Sequence, residues 1–322
     1  MGSGRILRLM NRPCVVASLL LAAGVSGAAP PPAEPAGCAL RSPAVEAVEA
    51  VEAAAPLALT GEIAWIGSQG VEFWAHRARQ PRATLVFENG LMLPLATWQK
   101  VVQALADEAD ILLYNRPGVG RSTLPEAPQD PKDAARLVRE LLRVQELPAP
   151  YIVVGHSMGG LHAQLFARLY AQEVDAMLLV DALPPGALKP SAQFPWYTQL
   201  GLRIFAPEYV QREITAAQAI GDSLLGEGVS FDKPVIRLIA TPDAALGKPK
   251  GLVRDLLDGV VYAADFGVWA VDPDTAQGSL DQLYPRSTVR HLRAHHRMQE
   301  AAPAPVIEAI RELMGGAGCP PG

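Results

Sequence analysis

One short string in this 322-residue chain has the side chains and spacing for covalent catalysis: Gly155-His156-Ser157-Met158-Gly159-Gly160. Ahead of it lies the apolar run Tyr151-Ile152-Val153-Val154, and behind it Leu161, Leu165, Phe166 and Leu169 recur at helical spacing. A serine on a sharp strand-to-helix turn holds its hydroxyl clear of the backbone, and the flanking residues must be small because side chains there would collide across the turn. Ser157 is therefore the candidate nucleophile. A hydroxyl attacks a carbonyl well only if a base takes its proton, so a histidine must reach it, and a carboxylate must hold that imidazole in the working tautomer. Six histidines are available, at 76, 156, 162, 291, 295 and 296.

These groups need a scaffold, and the sequence from Gly61 onward alternates short aliphatic or β-branched runs with longer stretches of helical spacing. That alternation predicts an α/β domain with a mostly parallel sheet covered by helices on both faces. Strands are expected at 62–65, 71–75, 84–88, 111–115, 151–155, 177–181, 235–240 and 288–292, the first two joined as a hairpin through 68–70. Runs such as Leu85-Val86-Phe87 and Ile152-Val153-Val154 are continuous rather than alternating, as strands buried on both faces require. Helices are expected at 133–146 and 306–314. Ligands of such sheets sit beyond the carboxyl ends of the strands, where the serine also falls.

At this point the chain resembles the α/β-hydrolase family over most of 61–314. Besides the serine turn, Tyr114-Asn115-Arg116-Pro117-Gly118-Val119-Gly120-Arg121-Ser122 is similar to the family's turn after the preceding strand, with Asn115 where Asp is usual. Leu179-Val180-Asp181-Ala182, followed by Pro184-Pro185, also has that family's look. The resemblance implies a base after the last strand, which selects His296 over its neighbour His295; it stands seven residues before Pro303, which opens the final amphipathic helix. His291, inside the strand, reads as structural. The chain order Ser, acid, His leaves two carboxylates. Asp243, just after strand 235–240, occupies the family's usual position and is the first choice, with Asp181 as its rival. The oxyanion of a tetrahedral intermediate needs donors. The resemblance implies the backbone N–H groups of Met158 and of Leu91, in Glu88-Asn89-Gly90-Leu91-Met92, where many members read His-Gly. An insertion at about 184–233, holding Phe194, Trp196, Tyr197, Leu200 and Phe205, is expected to form a small cap and to favour an apolar acyl or alcohol moiety.

Composition narrows the alternatives. With 49% hydrophobic residues there is ample material for a core, and 28 basic against 33 acidic residues, with no basic run, argue against a nucleic-acid binder. Three cysteines, none in a C-x-x-C pair, argue against a structural zinc site, and no metal, nucleotide or redox cofactor is implied. Residues 1–28 carry Arg5, Arg8 and Arg12, no acid, a short apolar run and a small-residue end, the three parts of a secretory signal. Residues 29–56, rich in Pro, Ala and Glu, read as a linker, and 57–322 as the hydrolase domain, with no later stretch apolar enough to span a bilayer. In an oxidising compartment Cys38 and Cys319, near the two ends of the mature chain, are expected to pair.

The expectation is thus a secreted or periplasmic serine hydrolase that cleaves a carboxylic ester or related acyl bond of a small-molecule substrate. Thioesters, lactones and amides would use the same machinery. A fold relative that binds without catalysis is the rival from another class.

Overall fold

A computed structural model describes residues 57–226, 231–241 and 266–316. The signal (1–28), the linker (29–56), Cys38, Cys319 and Asp243 lie outside the described residues. Eight strands form one sheet: β1 (Glu62–Ile66), β2 (Gln69–His76), β3 (Thr84–Glu88), β4 (Asp110–Tyr114), β5 (Tyr151–His156), β6 (Val174–Val180), β7 (Val235–Thr241) and β8 (Thr288–Arg293). Their order is β1-β2-β4-β3-β5-β6-β7-β8, with β1 and β2 antiparallel to their neighbours and every pair from β4 onward parallel. The expected hairpin is present, but its turn is Gly67-Ser68, because Gly67 takes the positive φ that a two-residue connection needs.

The pleat explains the continuous apolar runs. Val86, Leu112, Val153 and Met177 face one layer, where α2 (Pro131–Val144) and α3 (Gly159–Leu169) bury Leu137, Leu141, Ala163 and Phe166. Their chain neighbours Leu85, Phe87, Ile111, Leu113, Ile152 and Val154 face the opposite layer, against α1 (Gln99–Leu105) and the C-terminal α8 (Pro303–Gly316). Each central strand therefore removes apolar area from water on both sides, at roughly 25 cal/mol per Å². Helix α2 starts two residues before its expected position because Pro131 suits the first helical position and the Asp130 carboxylate accepts the Lys132 N–H at 2.7 Å.

Between β6 and β7 run α4 (Trp196–Phe205) and α5 (Glu208–Gly226), and α6 (Pro273–Leu283) and the one-turn α7 (Met298–Ala301) precede and follow β8. The inner side of the α4–α5 insertion, Phe194, Leu202, Val210, Ile214 and Ala217, packs with Leu91, Met158, Leu161 and Leu165. Of the insertion's aromatic and aliphatic side chains, Trp196, Leu200, Ile204 and Phe205 instead remain exposed on the outer side of α4. Among the described residues no helix is long and apolar enough to cross a membrane.

Candidate active site

Strand β5 delivers the chain to a bend that only a few residues could make. Ser157 has φ 53°, in the left-handed region that costs an L-residue about 1 kcal/mol or more, and the turn is held by its neighbours. Its N–H donates to Val180 O at 3.1 Å, while its carbonyl accepts from Gly160 at 2.9 Å and from Leu183 at 2.9 Å. A Cβ at Gly155 would lie 2.7 Å from Ala163 Cβ, and one at Gly159 would lie 2.3 Å from the backbone oxygen of Glu88. Both positions thus exclude any side chain, as the sequence spacing implies.

Ser157 Oγ lies 2.9 Å from His296 Nε2, and His296 Nδ1 lies 2.6 Å from Asp181 Oδ2. A carboxylate only accepts, so Nδ1 carries the imidazole proton and the Nε2 lone pair faces the serine hydroxyl. The acid position is therefore corrected. The carboxylate bonded to His296 is Asp181, the rival, and it fills the Nδ1 position intended for Asp243. Asp181 ends β6 in a left-handed conformation, φ 43°, which a short acidic side chain tolerates. It is pinned twice, its N–H donating to Leu238 O at 2.7 Å and its Oδ1 accepting from Ala240 N at 2.9 Å. Strand β7 thus orients Asp181 although it does not supply it.

The remaining histidines take other places. His295 and His291 are exposed, and His76 bonds Ala106 O at 2.8 Å. His156 is buried behind His296 with ring centroids 4.7 Å apart, and its Nε2 donates to the His296 carbonyl at 2.8 Å, which holds His296 from the backbone side. Burial first, and then the neighbouring His296 ring, hold the His156 pKa well below the usual imidazole value, so this ring stays neutral. His162 is buried and likewise held neutral, first by burial and then by the Arg116 charge.

Neither Leu91 N–H nor Met158 N–H donates a hydrogen bond among the described residues, so both are free to serve an oxyanion. The loop after β3 is held by side chains whose role the sequence left open. Asn89 is structural: its amide donates to Tyr114 O at 2.9 Å and accepts from Trp98 Nε1 at 2.6 Å. Glu88 is buried, accepts from Tyr114 Oη at 2.6 Å and lies 3.7 Å from Arg116. Burial raises its pKa to about 7, against the lowering influence of Arg116 and Tyr114.

A cavity of about 410 Å³ lies beside this network, lined by Arg116, Leu124, His162, Tyr209, Glu213 and Ala216 among others; the three side chains of the Ser157–His296–Asp181 chain do not line it. Among the described residues no three His, Cys, Asp or Glu side chains converge as metal ligands.

Fold and sequence comparisons agree on the class. Residues 83–207 match the family described as "alpha/beta hydrolase fold". The epoxide hydrolase CorEH superposes with a TM-score of 0.57 at 17% identity, over 80% of this chain and 99% of that one. A thermophilic esterase from Thermogutta terrifontis gives 0.56 at 17% identity, over 81% and 100%. At such identities these likenesses establish the fold. The uncharacterized protein YqjL of Bacillus subtilis is 29% identical over 106 residues, 33% of this chain and 42% of that protein. The chain spans less than half the length of the first curated relatives it matches. The chain has the α/β-hydrolase fold, with a serine–histidine–aspartate hydrogen-bonded chain at the carboxyl ends of its central strands.

Proposed function

We propose that this protein is an exported serine hydrolase that cleaves a carboxylic ester, or a related acyl bond, through an acyl-enzyme on Ser157. The observation that carries the reading is the continuous chain from Asp181 Oδ2 to His296 Nδ1 at 2.6 Å and from His296 Nε2 to Ser157 Oγ at 2.9 Å. His296 takes the Ser157 proton as Oγ bonds to the substrate carbonyl carbon, and Asp181 stabilises the imidazolium that results. The carbonyl oxygen becomes an oxyanion between the N–H groups of Leu91 and Met158. Its collapse breaks the bond to the alcohol, which leaves with the proton from His296. Water then attacks the acyl group, gives a proton to the same imidazole, and the proton returns to Ser157 as the acid departs.

An apolar substrate is favoured because the side chains gathered around Met158 and Leu91 are Leu161, Leu165, Phe194 and Leu202. Export rests on the basic, apolar and small-residue parts of 1–28, and would place Cys38 and Cys319 where they can oxidise. The mature N-terminus and thiol count, read by mass spectrometry of secreted protein, test both. The activity is tested with a fluorophosphonate probe and p-nitrophenyl esters of graded chain length. One covalent adduct per chain and ester turnover, both lost in Ser157→Ala, are expected. An unlabelled wild type that leaves every ester intact would instead favour a fold relative that binds without catalysis.

A further inference from the structure

The sequence treats Arg116 only as part of a turn, yet the structure buries its guanidinium and spends it on the loop that carries Leu91. Its Nη2 donates to Gly90 O at 3.1 Å, its Nη1 to Asn89 O, and its Nε to Glu213 Oε1 at 2.5 Å. Gly90 O belongs to the same planar peptide as Leu91 N–H. In a trans peptide the carbonyl and the N–H point in opposite directions, so holding the oxygen aims the hydrogen. The bond is charge-assisted, and a cation at the oxygen end polarises the unit toward a stronger N–H donor. The same oxygen also accepts from Leu93 N at 3.2 Å, closing a tight turn in which Met92 has φ 61°. Glu213 lies on α5, in the insertion, and is buried with Arg116.

We propose that Arg116 is a positioning residue for the oxyanion site, aiming the Leu91 N–H through the Gly90 carbonyl, and that Glu213 ties this aim to the seating of helix α5. The inference rests on the serine-hydrolase reading above and adds a residue and a regulatory linkage to it. If α5 shifts, the Nε bond is the first to lengthen, and the donor loses its alignment without any change at Ser157, His296 or Asp181. Lysine cannot replace this group, because an ammonium lacks the planar fork that reaches three acceptors in fixed directions.

The test uses the full-length protein and its variants Arg116→Lys, Glu213→Ala and Glu213→Gln. Competent serines are first counted by fluorophosphonate titration, so that misfolded protein drops out. Turnover per titrated serine, KM, inhibition by a trifluoromethyl ketone and inhibition by the product carboxylate are then compared. The ketone forms a hemiketal oxyanion on the serine, whereas the carboxylate does not. In Arg116→Lys, turnover per serine and ketone affinity should fall together by about 10- to 100-fold, within the range seen when an oxyanion donor is lost. KM and carboxylate affinity should stay within about threefold. Glu213→Ala should fall by about tenfold, and Glu213→Gln, which keeps an oxygen acceptor for Nε, should recover most of it. Turnover per titrated serine and ketone affinity both within threefold of wild type would overturn the proposal. So would losses explained by titrated sites alone. If Arg116→Lys does not fold, the Glu213 pair decides by the same criteria. A wild type that takes no label removes the parent reading, and this inference with it.

Discussion

Asp181 does two jobs through its two carboxylate oxygens, one on His296 Nδ1 and one on the Ala240 N–H. Asp181→Asn would keep the shape but offers an amide N–H to Nδ1, which drives the imidazole proton to Nε2, the wrong side for a base. Turnover should fall by roughly 10²- to 10⁴-fold, while Asp243→Asn should stay within about threefold in the same ester assay. The serine turn was legible because its glycines have a steric reason, visible in the string itself. The histidine that meets Ser157 was legible as one of two adjacent histidines, of which His296 faces inward and His295 outward. The carboxylate partner of that histidine was not, because two aspartates each follow a strand, and chain order admits both. Asp181 turns toward His296 through a left-handed backbone and a bond to the next strand, and neither leaves a mark in composition. Arg116 was invisible for the same reason, since its partners at 88–90 and 213 are remote in sequence.

At the scale of elements, the strand-to-helix turn and the loop after β3 form one packed unit, since Gly159 abuts the backbone oxygens of both Glu88 and Asn89. A methyl group there meets backbone, which cannot swing aside. Gly159→Ala should therefore cost roughly 1–3 kcal/mol of stability, read as a lower urea midpoint, and should also lower turnover per folded molecule, because the loop that yields carries Leu91. Unchanged turnover per folded molecule would show that the two elements move independently. The strands were the easiest elements to read, since burial on both faces leaves continuous aliphatic runs in the central ones. Helix starts were harder. The Asp130-Pro131 cap moves α2 forward from the residue at which its apolar stripe begins, so periodicity alone places it late. The insertion shows the limit of composition. Its apolar content predicts burial, but Trp196, Leu200, Ile204 and Phe205 face outward while Leu202 and Phe194 face in, a partition set by how α4 lies on the body.

For the whole molecule, three buried groups set an acid response whose sign can be worked out. His156 and His162 have pKa values held far below 6.5, so the unfolded chain binds two protons below about pH 6 that the folded chain refuses. Each contribution to stability is present above the unfolded pKa and is lost as pH falls. Glu88 acts oppositely. Its pKa, raised to about 7, means that the folded protein keeps a proton between about pH 4.5 and 7 that the unfolded chain has released, so this group favours folding more as pH falls through that window. Near pH 5.5 the two histidines outweigh Glu88, so these three groups together make the fold less stable on acidification. Glu88→Gln should steepen that dependence, as read from urea unfolding at pH 5 to 6.5. An unaltered slope would mean that Glu88 is ionised in the fold.

The central claim is that Ser157 becomes acylated with His296 as its base. Intact-mass and peptide mapping after rapid acid quench of enzyme with a p-nitrophenyl ester tests it most directly. The account predicts an acyl mass on the peptide bearing Ser157 in wild type, absent in Ser157→Ala and formed at least about 10²-fold more slowly in His296→Ala. Ester turnover with the acyl group on another side chain, or acylation of Ser157 at the wild-type rate without His296, would contradict it.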